Sequence, residues 1–188
     1  MRKIMFNDRY GLTQAVIEGR KTMAMMLINI KSTSDVQVRI FAGYVQIIGR
    51  SGDVCAEKKL SYKVGEVVAV AQSYNSFYDD TYNPVMFPAG AGWGNKMFVK
   101  AELMPYQIRI TGIKCERLQD ISDADCLREG IRYLPKIGKF YFEDTRREEG
   151  FYFDDHREAF ASLINKVSGL GTWQRNPRVV AYEFELVK

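Results

Sequence analysis

Apolar and polar positions along the chain change period several times, and each change marks a predicted element. Between residues 8 and 18, Leu12, Ala15 and Val16 fall on one helical face; Asn7 or Asp8 can cap the helix, Phe6 precedes the cap, and Gly19 supplies a left-handed stop. Residues 23–30 (MAMMLINI), 36–49 (VQVRIFAGYVQIIG) and 65–74 (GEVVAVAQSY) then read as strands. Residues 107–118 alternate Ile108, Ile110 and Ile113 with polar neighbours, and Gly112 interrupts that period where a bulge would sit. Residues 177–187 place Val180, Tyr182, Phe184 and Leu186 on one face and Ala181, Glu183 and Glu185 on the other, the pattern of a half-buried strand paired inside the main sheet.

Two more helices interrupt the strands. Ser122 is a natural N-cap, Asp123 and Asp125 lie in the first turn where the helix dipole favours anions, and Gly130 is the stop. Glu129 therefore falls on the last turn, the unfavourable end for a carboxylate, which predicts a cation nearby. Farther on, Phe160, Leu163, Ile164 and Val167 keep a helical stripe after the Asp154/Asp155 cap and before Gly169. Between these helices, YFEDTRREEGFYFDDHRE (141–158) mixes charge with aromatics and reads as a surface excursion with some burial of its rings. Many strands with few short helices predict one α+β domain over residues 1–188, built on a curled sheet or small barrel.

Composition narrows the function classes. With 27 Lys+Arg against 23 Asp+Glu the chain carries a formal charge of +4, too mild for a protein built solely to neutralise phosphates. Cys55, Cys115 and Cys126 are odd in number and lack C-x-x-C spacing, so they suggest neither a disulfide framework nor a zinc site. No apolar run approaches membrane-spanning length and the N-terminus turns polar too early for a signal peptide, so the expected compartment is the cytoplasm, without membrane partners. His156 stands alone among acids, where it is expected to be solvated, and neither a triad nor a metal site assembles around it. No cofactor is implied. PAGAGWGNK (88–96) lacks the Lys-Ser/Thr ending of a phosphate loop and reads as a loop flanked by Tyr74, Phe77, Tyr78, Tyr82 and Trp93, which either stack on bases or bury against the sheet.

Four segments in order, KIMFNDRYGLTQAVIEGRKT, YKVGEVVAVAQSY, ITGIKCERLQDISDADCLREGI and GTWQRNPRVVAYEFELV, carry a further reading. Together they resemble the ASCH domain, a PUA-like family, and its phage-like and Bacteroides-type members in particular. Residues around 31–57, 79–100 and 132–156 fall outside the pattern and read as insertions. The resemblance implies a PUA-like small β-barrel with short flanking helices and a groove beside the first helix. Members of the family are proposed RNA-binding modules, and some small ones hydrolyse acetylcytidine or cleave RNA. In the amidohydrolase members the implied site is a lysine in G-R-K-T, a threonine three residues later and a glutamate on the later helix. Here the lysine falls on Lys21, the glutamate on Glu129 and the threonine position on Ala24.

Two functions follow from the resemblance. One is an RNA- or nucleotide-binding module with a basic groove at Arg20 and Lys21, and with Gln72, Tyr74 and Trp93 as further ligand contacts. The other is an amidohydrolase on an acetylcytidine-like nucleoside, or a ribonuclease, in which Lys21 orients or deprotonates, Glu129 shuttles the proton and Thr22 stands in for the missing hydroxyl. Ala24 favours binding. The arginines and glutamate that such members often carry after G-R-K-T and in the next strand are also replaced, by Met25 and Met26 and by Ala71 and Gln72. Set against both functions, Lys21 beyond a helix C-terminus could merely complement the dipole, and Met23, Met25 and Met26 could be core filler.

Overall fold

The computed structural model describes residues 1–28, 37–77, 90–147 and 150–187. In chain order the strands are β1 (Arg2–Ile4), β2 (Met23–Leu27), β3 (Gln37–Phe41), β4 (Tyr44–Ile48), β5 (Val54–Lys59), β6 (Val67–Val70), β7 (Gln107–Arg117), β8 (Arg132–Leu134), β9 (Lys139–Phe142), β10 (Phe151–Phe153) and β11 (Arg178–Leu186). The helices are α1 (Leu12–Ile17), α2 (Asp123–Arg128), α3 (His156–Ser168) and α4 (Thr172–Arg175). The fold is therefore α+β, mostly sheet with short helices, as the periodicity predicts. Its principal sheet has five strands in the order β1-β6-β7-β11-β2, and among the described residues no ladder joins the β1 and β2 edges. The β1–β6 pair is parallel; the other ladders are antiparallel. Among the described residues, no helix is long and apolar enough to cross a membrane.

β11 sits inside the sheet between β7 and β2, and the register slips between Glu183 and Phe184, opposite Thr111 and Gly112, where the interrupted period places a bulge. Along β6 the strand alternation sends Val68 and Val70 into the main core beneath α1, α2 and α3, and sends Ala69 to a second cluster with Ala71, Tyr74, Val99, Ala101 and Met104 on the opposite face. Both faces of this strand are covered, which is why it reads as a continuous apolar run.

Four predicted elements come out differently, the simplest being the 65–74 run, which is strand only over β6 and enters a 3-10 turn at Tyr74–Ser76. The 36–49 run is a hairpin, not one strand, because Ala42 and Gly43 take φ of 51° and 83° and turn the chain between β3 and β4; residue 36, and residues 29–30 of the first predicted strand, lie outside the described residues. The helix at 8–18 is broken at Gly11 (φ 65°) into a 3-10 turn, Asp8–Tyr10, and α1, and Asn7 makes no side-chain cap. A side chain at Gly11 would meet Glu143 Oε2 at 2.8 Å, so the close approach of β9's end adds to the conformational demand. The excursion at 141–158 is largely β9, β10 and the start of α3; its aromatics form a face in which Phe142, only 1% exposed, stacks with Phe151 and Phe153 at 5.0 and 5.9 Å and meets Tyr10 edge-on at 5.8 Å. Alternation along these short aromatic strands turns Phe142, Phe151 and Phe153 inward and leaves Tyr141 and Tyr152 stacked on the other face at 5.7 Å, while the segment's charges lie beyond the strand ends. His156 is held there rather than solvated, its side chain 20% exposed, against Phe140 and between Asp123 and Asp155.

Asp144 fastens β9's end to the turn before α1. Arg9 donates to its two oxygens through Nε (3.0 Å) and Nη2 (2.9 Å), and this pairing holds the carboxyl below the usual carboxylate range. A depressed carboxyl contributes stability above its unfolded-state pKa, near 4, and loses it as pH falls through the lower folded value. Asp144→Asn is thus expected to be destabilised relative to the parent in urea unfolding at pH 7, with the gap closing in strong acid.

All three cysteines are free thiols, Cys55 exposed, Cys115 half-buried and Cys126 buried. Burial pushes the Cys126 thiol up to about 12 and raises Cys115 as well. Ellman's reagent at pH 8 is expected to label Cys55 rapidly, with Cys126 labelled only on unfolding; rapid native labelling of Cys126 would contradict this packing.

Candidate functional site

Gly19 (φ 71°) ends α1, and the amides of Arg20 and Lys21 both return to the carbonyl of Ala15 at 2.9 Å. That turn swings the Lys21 side chain inward, to 3% exposure. Its Nζ donates to Glu129 Oε2 at 2.5 Å and to the Glu129 main-chain oxygen at 2.9 Å, and lies 5.7 Å from the centre of the Phe6 ring. Glu129 follows α2, whose N-terminus is capped as predicted by the Ser122 hydroxyl accepting from Asp125 N–H at 3.2 Å. Its other oxygen, Oε1, accepts the Met25 amide at 2.7 Å, while the Thr22 amide donates to the Arg128 carbonyl at 3.0 Å.

The logic is electrostatic. β2 is an edge of the sheet, with amides that need acceptors, and the C-terminal end of α2 presents surplus carbonyls and a carboxylate. Only a cation makes that acidic corner tolerable to bury, and Lys21 supplies it.

Above the pair lies a cavity of about 140 Å³, walled by Phe6, Leu12, Ala24, Met25, Met26 and Phe160, with Asn7 and Ser168 adding polar atoms. Two of the methionines flagged by the sequence thus face the cavity, whereas Met23 is fully buried in the core. Ala24, at the position where the resemblance expects threonine, lines the same cavity as Lys21 and Glu129.

No family model matches the chain, and no curated protein or solved structure is detectably similar to it.

The remaining candidate residues lie elsewhere. Arg20 turns to Glu18, with Nη2 2.5 Å from Oε2, so Arg20 and Lys21 do not form one basic groove; Lys21 is already neutralised by its own partner. Thr22 does not line the cavity, and its hydroxyl accepts from Arg128 Nε at 3.1 Å. Gln72 belongs to a separate polar depression with Asp8, Thr13 and Glu143. Tyr74 is 5% exposed and its hydroxyl accepts the Lys100 amide at 2.9 Å; Trp93 packs, half-buried, against the same second cluster across the sheet. Neither is a stacking platform beside Lys21, because both pack with Ala69 and Ala71 in the second cluster, on the opposite face of the sheet. Tyr78 and Tyr82 lie outside the described residues.

Two contributors escape sequence reasoning. The Met25 main-chain amide anchors the carboxylate and has no side-chain signature. The wall contributed by α3 was visible only as an ordinary core stripe, since Phe160, Leu163 and Ile164 belong to both core and cavity.

Chemically, the pair offers a neutral ligand a donor and an acceptor side by side: Lys21 has three N–H bonds, two of them committed, and each carboxylate oxygen keeps a second lone pair. No hydroxyl stands at position 24 to be activated.

Proposed function

We propose that the chain is an ASCH-like protein on a PUA-like scaffold whose cavity binds one nucleobase-sized heterocycle, as a nucleoside or nucleotide or as an unstacked base of RNA. The observation that carries this is the buried Lys21–Glu129 pair on the floor of a small, mostly apolar cavity. Its volume of about 140 Å³ is close to that of an engineered cavity known to take benzene, so the space suits a single ring, and adaptable methionine walls can widen it. Net neutrality at the floor favours an uncharged edge carrying a donor beside an acceptor and disfavours a phosphate there.

Thermal unfolding with a panel of nucleosides tests this. A ligand at about 100 times its Kd stabilises by about 2.7 kcal/mol, which for a chain of this size raises Tm by about 5–10 °C. Glu129→Gln is expected to abolish most of that shift, since an amide cannot replace both acceptor oxygens. Absence of any shift across the panel at millimolar concentration would sink the proposal.

The shared location of Ala24, Lys21 and Glu129 supports a second reading, in which the site descends from an amidohydrolase arrangement and lacks its nucleophile. On that reading Ala24→Thr restores a hydroxyl beside the ion pair and gives measurable acetylcytidine hydrolysis where the parent gives none. A variant that binds nucleoside yet stays inert leaves binding as the whole function.

A further inference from the structure

Two basic surface clefts differ in how their charge is answered. One, beside α2, contains Arg20, Arg128 and Arg132, and each of the three is paired, with Glu18, Asp125 and Glu143 respectively. It has no cation to spare.

The other lies between the β3–β4 turn and the start of β1. It spans about 470 Å³ and is lined by Arg2, Lys59 and Lys63 around Gly43, with Glu66 as its acid and Val64 at the rim. Glu66 is already engaged: its Oε1 is 3.4 Å from Arg2 Nη1 and its Oε2 accepts the Lys63 main-chain amide at 3.0 Å. Among the described residues, neither Lys59 nor Lys63 has a carboxylate within ion-pair distance, and both side chains are exposed.

The cations come from two segments that the fold brings together, the start of β1 and residues 59–63. Arg2 is steadied by the Tyr62 ring 4.8 Å from its guanidinium carbon, and Tyr62 in turn donates its hydroxyl to the Lys3 carbonyl at 3.0 Å. Lys59 is the last residue of β5, opposite Tyr44, and the next amide, Leu60, closes onto the Gly43 carbonyl at 2.9 Å. At the end of β3, two residues before Gly43, Phe41 is 59% exposed with the Arg39 guanidinium over its ring at 5.3 Å.

We infer that this cleft is a phosphate-binding site, separate from the Lys21–Glu129 cavity, that takes a ligand bearing phosphate groups. The ligand is either a small molecule carrying pyrophosphate or a single strand offering successive phosphates. Three cations against one committed carboxylate leave an excess of two positive charges, the complement of such a group. The space exceeds what one phosphate fills and matches a nucleotide-sized ligand, and the exposed Phe41–Arg39 pair offers a face on which an adjoining base can stack.

Two probes are titrated against the intact protein at about 50 mM salt, where phosphate contacts are strong: inorganic pyrophosphate, and a fluorescent single-stranded RNA oligonucleotide. The expected result is binding of pyrophosphate, with the doubly substituted Lys59→Ala/Lys63→Ala variant weakened at least about tenfold and a charge-matched Lys100→Ala/Lys136→Ala control unchanged. RNA binding that pyrophosphate competes away identifies a strand as a source of the phosphates; pyrophosphate binding alone identifies a small molecule. Failure of both probes to bind, or equal losses in the cleft and control variants, overturns the proposal. Far-ultraviolet circular dichroism of the variants establishes that the fold is kept, which surface lysines of this kind are expected to allow.

Discussion

Replacing Glu129 by alanine is expected to cost about 3–5 kcal/mol of folding stability, the usual consequence of leaving a buried ion-pair partner uncompensated. Lys21, 3% exposed, would keep only a carbonyl as its anionic-end contact, and the Met25 amide on the sheet edge would lose its acceptor. The double substitution Lys21→Met/Glu129→Leu separates these two effects. It removes both charges and leaves the Met25 amide and the Glu129 carbonyl without their partners, a net loss of about 1–3 kcal/mol once the desolvation of the pair is relieved. Urea unfolding of the parent, the single and the double variants measures the three values. A single variant no less stable than the double would mean that Lys21 escapes to solvent and that the pair is not enclosed.

The second large effect concerns Arg157, in the first turn of α3. Its Nη1 donates to the Ile121 carbonyl and its Nη2 to the Gln119 carbonyl, both at 2.6 Å, and its guanidinium carbon lies 5.6 Å from the centre of the Trp173 ring. One fork therefore holds the segment that leads into α2, the helix that delivers Glu129. Arg157→Ala is expected to cost about 3 kcal/mol, from two charge-assisted hydrogen bonds and lost packing. Arg157→Lys recovers little of it, because a single ammonium cannot reproduce the planar fork. The variant should also bind ligand more weakly in the cavity, since α2 loses a fixed anchor. Full rescue by lysine would show that charge, and not fork geometry, positions the segment.

How far the sequence was legible depends on where each signal resides. Local chemistry was readable: Ser122 caps α2, Asp155 caps α3 by accepting the Arg157 and Glu158 amides, and Gly112 marks the irregular register between β7 and β11. The misplacement of Glu129 at a helix exit correctly implied a cation, and Lys21 is that cation. Signals that depend on the opposite face of a strand were not readable. The chain around Tyr74 and Trp93 looks like a loop rich in aromatics, but whether a ring faces ligand or a second core turns on how the chain beyond β6 packs onto the Ala69 face of the sheet. Nor could the GRKT stretch reveal that Arg20 and Lys21, adjacent in sequence, part company at the helix exit, one toward Glu18 at the surface and the other inward. Short strands such as β1 and β8, three residues each, carry too few positions for any period to register.

The anchoring of Glu129 through the Met25 amide has a bearing on how such a cavity could change over time. A contact to the main chain is indifferent to the side chain that the residue carries, so every amino acid except proline at position 25 keeps the carboxylate in place. Side-chain variation there, and at Met26 beside it, would reshape the walls while the charged floor stays fixed. Ligand preference and site integrity are in that sense separately adjustable, and a library randomised at these two positions would sample new specificities without having to rebuild the pair.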